Sequence, residues 1–324
     1  MGSISPFEQM QVAASSAIDA SIVITTRNRR DEALRAISSC LAQENCSIEI
    51  LLFDDASDDG TVEAVRKKFP SVRIFSNPSR MGYIHNRNRG FEEALGSVVF
   101  SIDDDAYFSS RDIVMSVLKH FRDDCTIAAV AIPFIEPMNR RSLSSLQTPF
   151  ISRSGDELCG YIGCAHAVRR EIVLSLGGYR EFFIHQGEER DLCLRMIAAG
   201  FRIVYGGQGL IVHMVSPKRQ LDRVTYYASR NGLLFDILNL PVPDVLIRLV
   251  WDPIAIIRYR FSWSTLPLKL RGIMAGFCEG AKRWRERKAV SRAAYVRFKT
   301  LPGHGPEEWV QAIPPPCALP DSTR

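Results

Sequence analysis

Short apolar segments that favour β-strands alternate with amphipathic segments that favour α-helices in the first half of the chain. Residues 20–25 and 48–53 are brief runs rich in branched apolar side chains, which predicts two buried strands. Residues 31–43 and 61–69 are predicted helices, and a third short strand is predicted at 72–75. Repeated strand–helix units favour an α/β fold, in which a mostly parallel sheet carries helices on both faces.

Two groups of acidic residues directly follow predicted strands. Residues 54–55 follow the second strand, and the three consecutive aspartates 103–105 follow the apolar run 97–102. Ligands of parallel sheets collect at the carboxyl ends of the strands, where both groups are placed. Clustered carboxylates repel one another, and Mg²⁺ or Mn²⁺ bound by oxygen ligands removes that repulsion. The three aspartates therefore predict a metal site, and the alternative is a solvated acidic turn before a helix near Arg111.

The bulk composition is that of an ordinary globular protein, with 46% hydrophobic and 24% charged residues. We find no apolar stretch long enough to span a bilayer, and the N-terminus lacks the basic segment and apolar core of a secretory signal. The eight cysteines have no CxxC spacing and are expected to be free thiols in a reducing compartment. These features predict a cytosolic protein.

Positive charge is concentrated near the C-terminus. Residues 258–299 contain twelve Lys and Arg residues against two Glu residues, whereas the whole chain has a net charge of +5. Trp251, Trp263, Phe277 and Trp284 lie in or beside this basic segment. The pattern fits a helical region that lies on an anionic membrane surface, and it fits equally an ordinary helical subdomain with a solvated basic face. Nucleic-acid binding is not expected, because no segment resembles a known nucleic-acid-binding module.

Five segments, taken in sequence order, resemble the motifs of family 2 glycosyltransferases of the GT-A fold. They are Val-Ile-Thr-Thr-Arg-Asn at 23–28, Phe-Asp-Asp-Ala-Ser-Asp-Asp-Gly-Thr at 53–61, Ile-Asp-Asp-Asp-Ala at 102–106, Gly-Gly-Tyr at 177–179 with Gly-Glu-Glu-Arg-Asp-Leu-Cys-Leu-Arg at 187–195, and Val-His at 212–213. Each motif alone is weak, but their order and spacing together are specific. The resemblance covers residues 20–215 and implies a Rossmann-like, mostly parallel sheet flanked by helices, with a helical C-terminal extension.

The resemblance also implies how the chain is divided. Residues 20–220 would form the GT-A catalytic domain, preceded by a flexible extension at 1–19 and followed by the helical basic region at 221–312. The proline run 314–316 predicts a disordered tail at 313–324. The expected location is the cytoplasm, at the inner face of the cell membrane if the basic region binds lipid.

A donor site and a metal site are implied at the carboxyl ends of the strands. The metal, Mn²⁺ or Mg²⁺, would be bound by Asp105 and His213, with Asp103 close to the ribose or to a metal-bound water. The donor would be a nucleoside-diphosphate sugar, with UDP or dTDP as the nucleotide. The alternatives are that His213 is structural, that 54–60 is only a turn, and that the arginines at 80, 87 and 89 are surface residues. The implied donor-binding residues are Thr25, Arg27, Asp55, Arg80, Asn88, Asp103 and Asp104.

Glu189 lies at the position of the family's general base, which is more commonly an aspartate. The alternatives for this role are Glu188 and Asp191, and Asp191 is also spaced to form an ion pair with Arg195. The implied reaction is an inverting displacement in which an acceptor hydroxyl attacks the anomeric carbon of the donor. The product would be a polysaccharide, a glycolipid or another glycoconjugate, and the sequence does not identify the acceptor. The competing classes are a non-catalytic sugar-nucleotide-binding protein and a nucleotidyltransferase.

Overall fold

The computed structural model describes residues 18–137, 153–207, 209–214 and 221–303. The described part of the chain forms ten strands and ten α-helices. The strands are β1 (Ala20–Thr26), β2 (Ile48–Asp54), β3 (Arg73–Ser76), β4 (Val98–Asp103), β5 (Ala106–Phe108), β6 (Ile127–Ala131), β7 (Phe134–Ile135), β8 (His166–Arg169), β9 (Arg202–Tyr205) and β10 (Ile211–His213). The helices are α1 (Arg30–Leu41), α2 (Thr61–Lys68), α3 (Tyr83–Glu93), α4 (Ile113–Asp123), α5 (Arg170–Ser175), α6 (Glu188–Ala198), α7 (Leu221–Asn239), α8 (Asp244–Arg258), α9 (Leu266–Lys282) and α10 (Arg292–Thr300).

Seven strands form the main sheet, in the order β3-β2-β1-β4-β8-β6-β9. The first four neighbours pair in parallel, and β8 is antiparallel to both β4 and β6. The predicted strands and helices of the first half are confirmed to within three residues at each end. The α/β fold with a mostly parallel sheet is therefore confirmed.

The sheet has an apolar core on each face. Successive residues of a strand point to opposite faces, so Val23 of β1 belongs to one core cluster and its neighbours Ile22 and Ile24 belong to the other. Helices α1 and α4 cover one face through side chains such as Ile37 and Val117. Helices α3 and α6 cover the other face, and α7 and α10 pack on α6. Burial on both faces explains why the strands are continuous apolar runs rather than alternating ones.

Strand register brings the two acidic segments together. Thr26 at the end of β1 pairs with Asp54, and Thr25 pairs with Asp103. A small second sheet, in the order β5-β10-β7, places His213 opposite Ala106, and the Met214 N–H donates to the Asp105 carbonyl oxygen at 2.8 Å. The last predicted motif, at the end of β10, therefore lies beside the aspartates.

The C-terminal region is helical over the described residues 221–303, as predicted. Helices α8 and α9 pack on α7, and α10 packs on α6. No helix in the described part of the chain has both the length and the apolarity to cross a bilayer. Residues 1–17 of the predicted extension at 1–19 and the predicted tail at 313–324 lie outside the described residues, and the domain boundaries stay predictions.

Candidate active site

Thr26 and Arg29, near the end of β1, bind the aspartates that follow β4. Arg29 Nη1 lies 2.9 Å from Asp104 Oδ1 and 2.8 Å from Asp105 Oδ2, and Thr26 Oγ1 donates to Asp104 Oδ2 at 2.9 Å. Burial raises the pKa of Asp104 to about 7, although the Arg29 charge opposes the shift. Both carboxylate oxygens of Asp104 thus accept hydrogen bonds from the protein itself. The predicted contact of Asp104 with the donor stays a prediction.

His213, at the end of β10, faces the first and third aspartates. Its Nε2 atom lies 3.3 Å from Asp105 Oδ1 and 3.8 Å from Asp103 Oδ2, while Nδ1 lies 3.2 Å from Glu136 Oε1. In metal sites, a carboxylate that accepts the proton of one ring nitrogen orients the other nitrogen toward the metal. Glu136 occupies that position. No signal in the sequence marks Glu136, because an isolated Glu after a short strand matches no motif.

The converging side chains suit a divalent cation, because they offer two carboxylates and one imidazole nitrogen. Mn²⁺ accepts both kinds of ligand, whereas Mg²⁺ prefers the carboxylates. Burial alone would lower the pKa of His213, but its hydrogen bonds with Asp105, Cys164 and Glu136 outweigh burial and raise the pKa. The positive charge of protonated His213 therefore balances the charge of the aspartates. A cation bound by the aspartates would take over this role. The residues present fit the metal that the resemblance implied, with Asp105 and His213 as predicted ligands.

A thiol lies beside the same cluster. The potential ligand atoms of Asp103, Cys164 and His213 all lie within 4.8 Å of one another. Burial raises the pKa of the Cys164 thiol, which keeps it protonated and makes it a poor ligand for a hard cation. Sulfur binds softer ions such as Zn²⁺ well. The aspartates therefore favour Mn²⁺ or Mg²⁺, and Cys164 adds affinity for softer ions.

Arg87, on α3, joins the metal side of the site to the proposed base. Its Nη2 atom lies 2.8 Å from Asp103 Oδ1, and Nη1 lies 3.4 Å from Glu189 Oε1 and 3.5 Å from Glu188 Oε1. Only 4% of the Arg87 side chain is exposed, so the interpretation of Arg87 as a surface residue is wrong. Arg80 is exposed, and Arg89 is half-buried over the ring of Phe53.

The three acidic residues at the start of α6 differ in accessibility. Glu188 is fully buried, and burial together with the charge of Glu189 raises its pKa well above the usual value. The side chain of Glu189 is 19% exposed and can meet a substrate hydroxyl. Asp191 is fully buried, and its oxygens accept hydrogen bonds from Arg180, Arg195 and Asn239. The ion pair predicted for Asp191 is therefore present, and the accessibility of the three carboxylates favours Glu189 as the base.

Asp55 holds the loop that leads into α3. Its Oδ1 atom accepts from Met81 N at 2.7 Å and from Asn77 Nδ2 at 3.1 Å, and Gly82 N lies 3.1 Å from both carboxylate oxygens. Burial opposes ionisation of Asp55, but these donors outweigh it and lower the pKa. Its neighbour Asp54 accepts from Ser57 N at 3.1 Å and so holds the turn.

The remaining predicted donor residues have different surroundings. Thr25 is half-buried at the end of β1, and Arg27 is exposed just beyond it. The Asn88 amide pairs with the backbone of Tyr179, accepting from N and donating to O at 2.8 Å each. Asn88 therefore ties α3 to the 177–179 motif. The donor-binding roles of these residues stay predictions.

Asn231, on α7, fixes the loop that precedes Glu188 and Glu189. Its Nδ2 atom lies within 2.6–2.9 Å of the carbonyl oxygens of Phe183, His185 and Gln186. Ile184 and Gln186 in this loop have positive φ angles of 64° and 65°, which non-glycine residues adopt at a cost. The helical region thus contributes directly to the shape of the site, a role that the sequence did not reveal.

Part of the chain matches a known protein family. Residues 21–177 match the family model described as "Glycosyl transferase family 2". A glucosyl-dolichyl phosphate glucuronosyltransferase of Haloferax volcanii is 24% identical over 275 residues, which cover 72% of this chain and 87% of that protein. An uncharacterized glycosyltransferase of Haemophilus influenzae is 31% identical over 93 residues, and the match spans 28% of this chain and 37% of that relative. Residues 21–177, just under half of the chain, are therefore similar to a family 2 glycosyltransferase domain.

Solved structures with the same fold are glycosyltransferases. The mannosyltransferase PcManGT of Pyrobaculum calidifontis, in complex with GDP-Man and Mn²⁺, matches with a TM-score of 0.56 at 18% identity, over 90% of this chain and 84% of that one. GalNAc-T7, with UDP, GalNAc and Mn²⁺, matches with a TM-score of 0.59 at 15% identity, over 89% of this chain and 59% of that one. The GT-A fold that the resemblance implied is confirmed.

Proposed function

We propose that this protein is a metal-dependent, inverting glycosyltransferase that moves a sugar from a UDP- or dTDP-linked donor to an acceptor hydroxyl. One observation carries the proposal: Asp103, on the metal side, and Glu189, the accessible carboxylate, contact the same buried guanidinium of Arg87. The donor diphosphate and the acceptor hydroxyl would then meet within reach of one positively charged side chain. An inverting transfer needs this arrangement, with the base and the leaving group on opposite sides of the anomeric carbon.

In the proposed reaction, Glu189 accepts the proton of the acceptor hydroxyl as that oxygen attacks the anomeric carbon. Arg87 orients the Glu189 carboxylate, and Tyr83, whose ring lies under the guanidinium at 4.8 Å, supports Arg87. Asp103, Asp105 and His213 would hold the cation, which supplies positive charge for the leaving diphosphate. Inversion follows from a single displacement without a covalent intermediate on the enzyme.

The comparisons support a nucleotide-sugar donor and leave the acceptor to experiment. Of the two solved structures described above, one holds GDP-Man and the other holds UDP with GalNAc. Each of them also holds Mn²⁺. The name of the Haloferax volcanii relative specifies a dolichyl phosphate carrier. A lipid-linked acceptor is therefore the first acceptor class to test, ahead of polysaccharide. As part of the proposal we place the reaction in the cytoplasm, with which the seven described cysteines, all free thiols, agree.

The test is hydrolysis of a panel of UDP-, dTDP- and GDP-sugars by purified protein with Mn²⁺, with Mg²⁺ and with EDTA. We expect slow, metal-dependent release of one nucleoside diphosphate, which identifies the donor. Asp105→Asn should abolish this release, whereas Asp31→Asn, at a carboxylate 74% exposed, has the same charge change and should not affect it. Binding of a donor without any release, even with acceptors added, would indicate a non-catalytic binding protein. Pyrophosphate release from a nucleoside triphosphate would indicate a nucleotidyltransferase.

A further inference from the structure

Large apolar side chains are unusually exposed on helices α8 and α9 and on the loop between them. Of the 21 large apolar side chains that are exposed in the described part of the chain, thirteen lie between Val242 and Trp284. Trp263 is 79% exposed and Trp251 is 61% exposed. We call this surface the apolar face, and its members on these two helices and their loop are Leu246, Ile247, Val250, Trp251, Ile254, Tyr259, Phe261, Trp263, Leu270, Met274 and Phe277.

The spacing of these residues makes one outward stripe on each helix. On α8 they recur at 246, 250 and 254, with 247 and 251 beside them, which is the period of one helical face. On α9 they recur at 270, 274 and 277, opposite the glycines that pack on α7. Both helices therefore rest on α7 with one side and present the other side to solvent. Lys269 Nζ lies 3.3 Å from the Ile257 carbonyl oxygen and also contacts that of Tyr259, which fixes the connecting loop to α9.

Positive charge accompanies the apolar face. The exposed basic residues in and after the two helices are Arg258, Arg260, Arg271, Lys282, Arg285 and Lys288. In the same stretch, the acidic residue that is exposed is Glu286, and it is paired with Arg283 at 3.0 Å. The surface therefore combines exposed tryptophans with an excess of cations. Amphipathic helices that lie in the headgroup region of anionic bilayers have this combination.

We propose that the apolar face docks on an anionic lipid bilayer, with α8 and α9 lying in the plane of the headgroups. A peripheral position agrees with the finding that no described helix can span the membrane. A second copy of the chain is a poorer fit, because a two-fold symmetric contact through this face would bring the basic side chains of both copies together. This proposal goes beyond the proposed reaction and does not depend on it.

The experiment measures co-sedimentation of the full-length protein with vesicles of phosphatidylcholine alone or with about 30% phosphatidylglycerol, a simple anionic bilayer. We expect binding to the anionic vesicles, weak binding to the neutral ones, and release in about 1 M NaCl, where the Debye length is about 3 Å. The double variant Trp251→Ser/Trp263→Ser should lose binding by about tenfold or more, because it removes both tryptophans of the apolar face. The Leu174→Ser variant, at a residue 37% exposed outside this face, is the matched control and should bind like the parent protein.

Three outcomes would overturn the proposal. One is the absence of sedimentation with anionic vesicles, and another is equal binding by the double variant and the parent protein. The third is a dimer, measured by light scattering without lipid, that the double variant converts to a monomer, because the face would then belong to a contact between copies. Both substituted tryptophans are exposed, so the thermal melting temperature should not change, and this measurement guards against misfolding as the cause of lost binding.

Discussion

A single charged residue, Arg87, connects carboxylates from different elements of the site. Arg87 is buried and contacts carboxylates from β4 and from α6, and its guanidinium keeps their like charges apart. Burial opposes the charge on Arg87, but the nearby Asp103 and Glu189 outweigh burial and raise its pKa. Removing one partner of a buried charge cluster leaves the other charges uncompensated. Arg87 is therefore a positioning residue for two groups at once.

We expect a substitution of Glu189 to slow the transfer step while leaving donor binding nearly unchanged. Glu189→Gln keeps the size and hydrogen bonding of the side chain but cannot accept the proton of the acceptor hydroxyl. Transfer should fall by about 10²- to 10⁴-fold, the usual contribution of a general base, while donor affinity changes little. Calorimetric titration with the donor and a transfer assay measure the two quantities. Glu171→Gln, at an exposed residue, is the control, and unchanged turnover in Glu189→Gln would remove this residue from the mechanism.

Glu136 should act on metal affinity through His213. In Glu136→Gln, the His213 ring loses the carboxylate that accepts its Nδ1 proton, so Nε2 is less well oriented. Loss of such an orienting partner typically costs about 10- to 100-fold in metal affinity. The binding of Mn²⁺, followed by electron paramagnetic resonance, gives this value without an activity assay. Glu44→Gln, at a side chain 53% exposed, is the control. Equal Mn²⁺ affinity in Glu136→Gln and the parent protein would show that Glu136 does not support metal binding through His213.

Among the elements, α7 and α9 pack unusually closely. Gly272, Gly276 and Gly280 are spaced four residues apart on α9 and face α7. A Cβ atom on Gly276 would lie 2.7 Å from the Arg230 carbonyl oxygen, and one on Gly272 would lie 2.6 Å from that of Tyr226. Glycine is needed at these positions for close approach of the two helices, not for a special backbone angle. This contact supports the part of α7 that carries Asn231 and therefore the loop before Glu189.

Two glycine-to-alanine changes in this helix pair should have opposite signs. Gly276→Ala forces α9 away from α7 and should lower the free energy of unfolding by about 1–3 kcal/mol, the usual cost of overpacking. Gly232→Ala, on α7, meets no atom closer than 3.9 Å. It should raise stability by about 0.5–1 kcal/mol, since alanine is the better helix former. Urea unfolding measures both, and equal effects of the two changes would contradict close packing at Gly276.

Over the whole molecule, local sequence patterns were sufficient to predict the strands and helices of the α/β region. They were not sufficient to predict its polar contacts. The strands β1 and β2 are continuous apolar runs followed by turn residues, so their positions follow from neighbouring residues alone. The contacts of Arg29 with Asp104 and of Glu136 with His213 join residues 75 and 77 positions apart. No spacing in the sequence marks such a pair, because the partners meet only when the sheet forms. The aspartates 103–105 and Glu189 were identifiable because they lie within motifs.

A second cluster of charged residues lies between α7 and α8 of the helical region, away from the site. Asp236 of α7 is fully buried beside Asp252 of α8, with Arg190 and Arg248 nearby. Burial is the largest cause that raises the pKa of Asp236, and the nearby Asp252 adds to the shift, so that the pKa is about 8. Burial beside another carboxylate therefore favours the protonated form of Asp236 at the contact between α7 and α8.

The stability of the whole molecule should consequently fall as the pH rises toward 8. The unfolded chain releases the Asp236 proton at about pH 3.9, whereas the folded chain retains it up to about pH 8. Between these values the folded state binds more protons, so raising the pH favours unfolding. Urea unfolding at about pH 6 and about pH 8 should show this loss, and Asp236→Asn should reduce it because the amide does not titrate. Part of the loss should persist in Asp236→Asn, because the pKa of Asp104 is also raised, to about 7. Asp31→Asn, at an exposed residue, should leave the pH dependence as it is in the parent protein, and the same slope in Asp236→Asn would rule out a proton bound between α7 and α8.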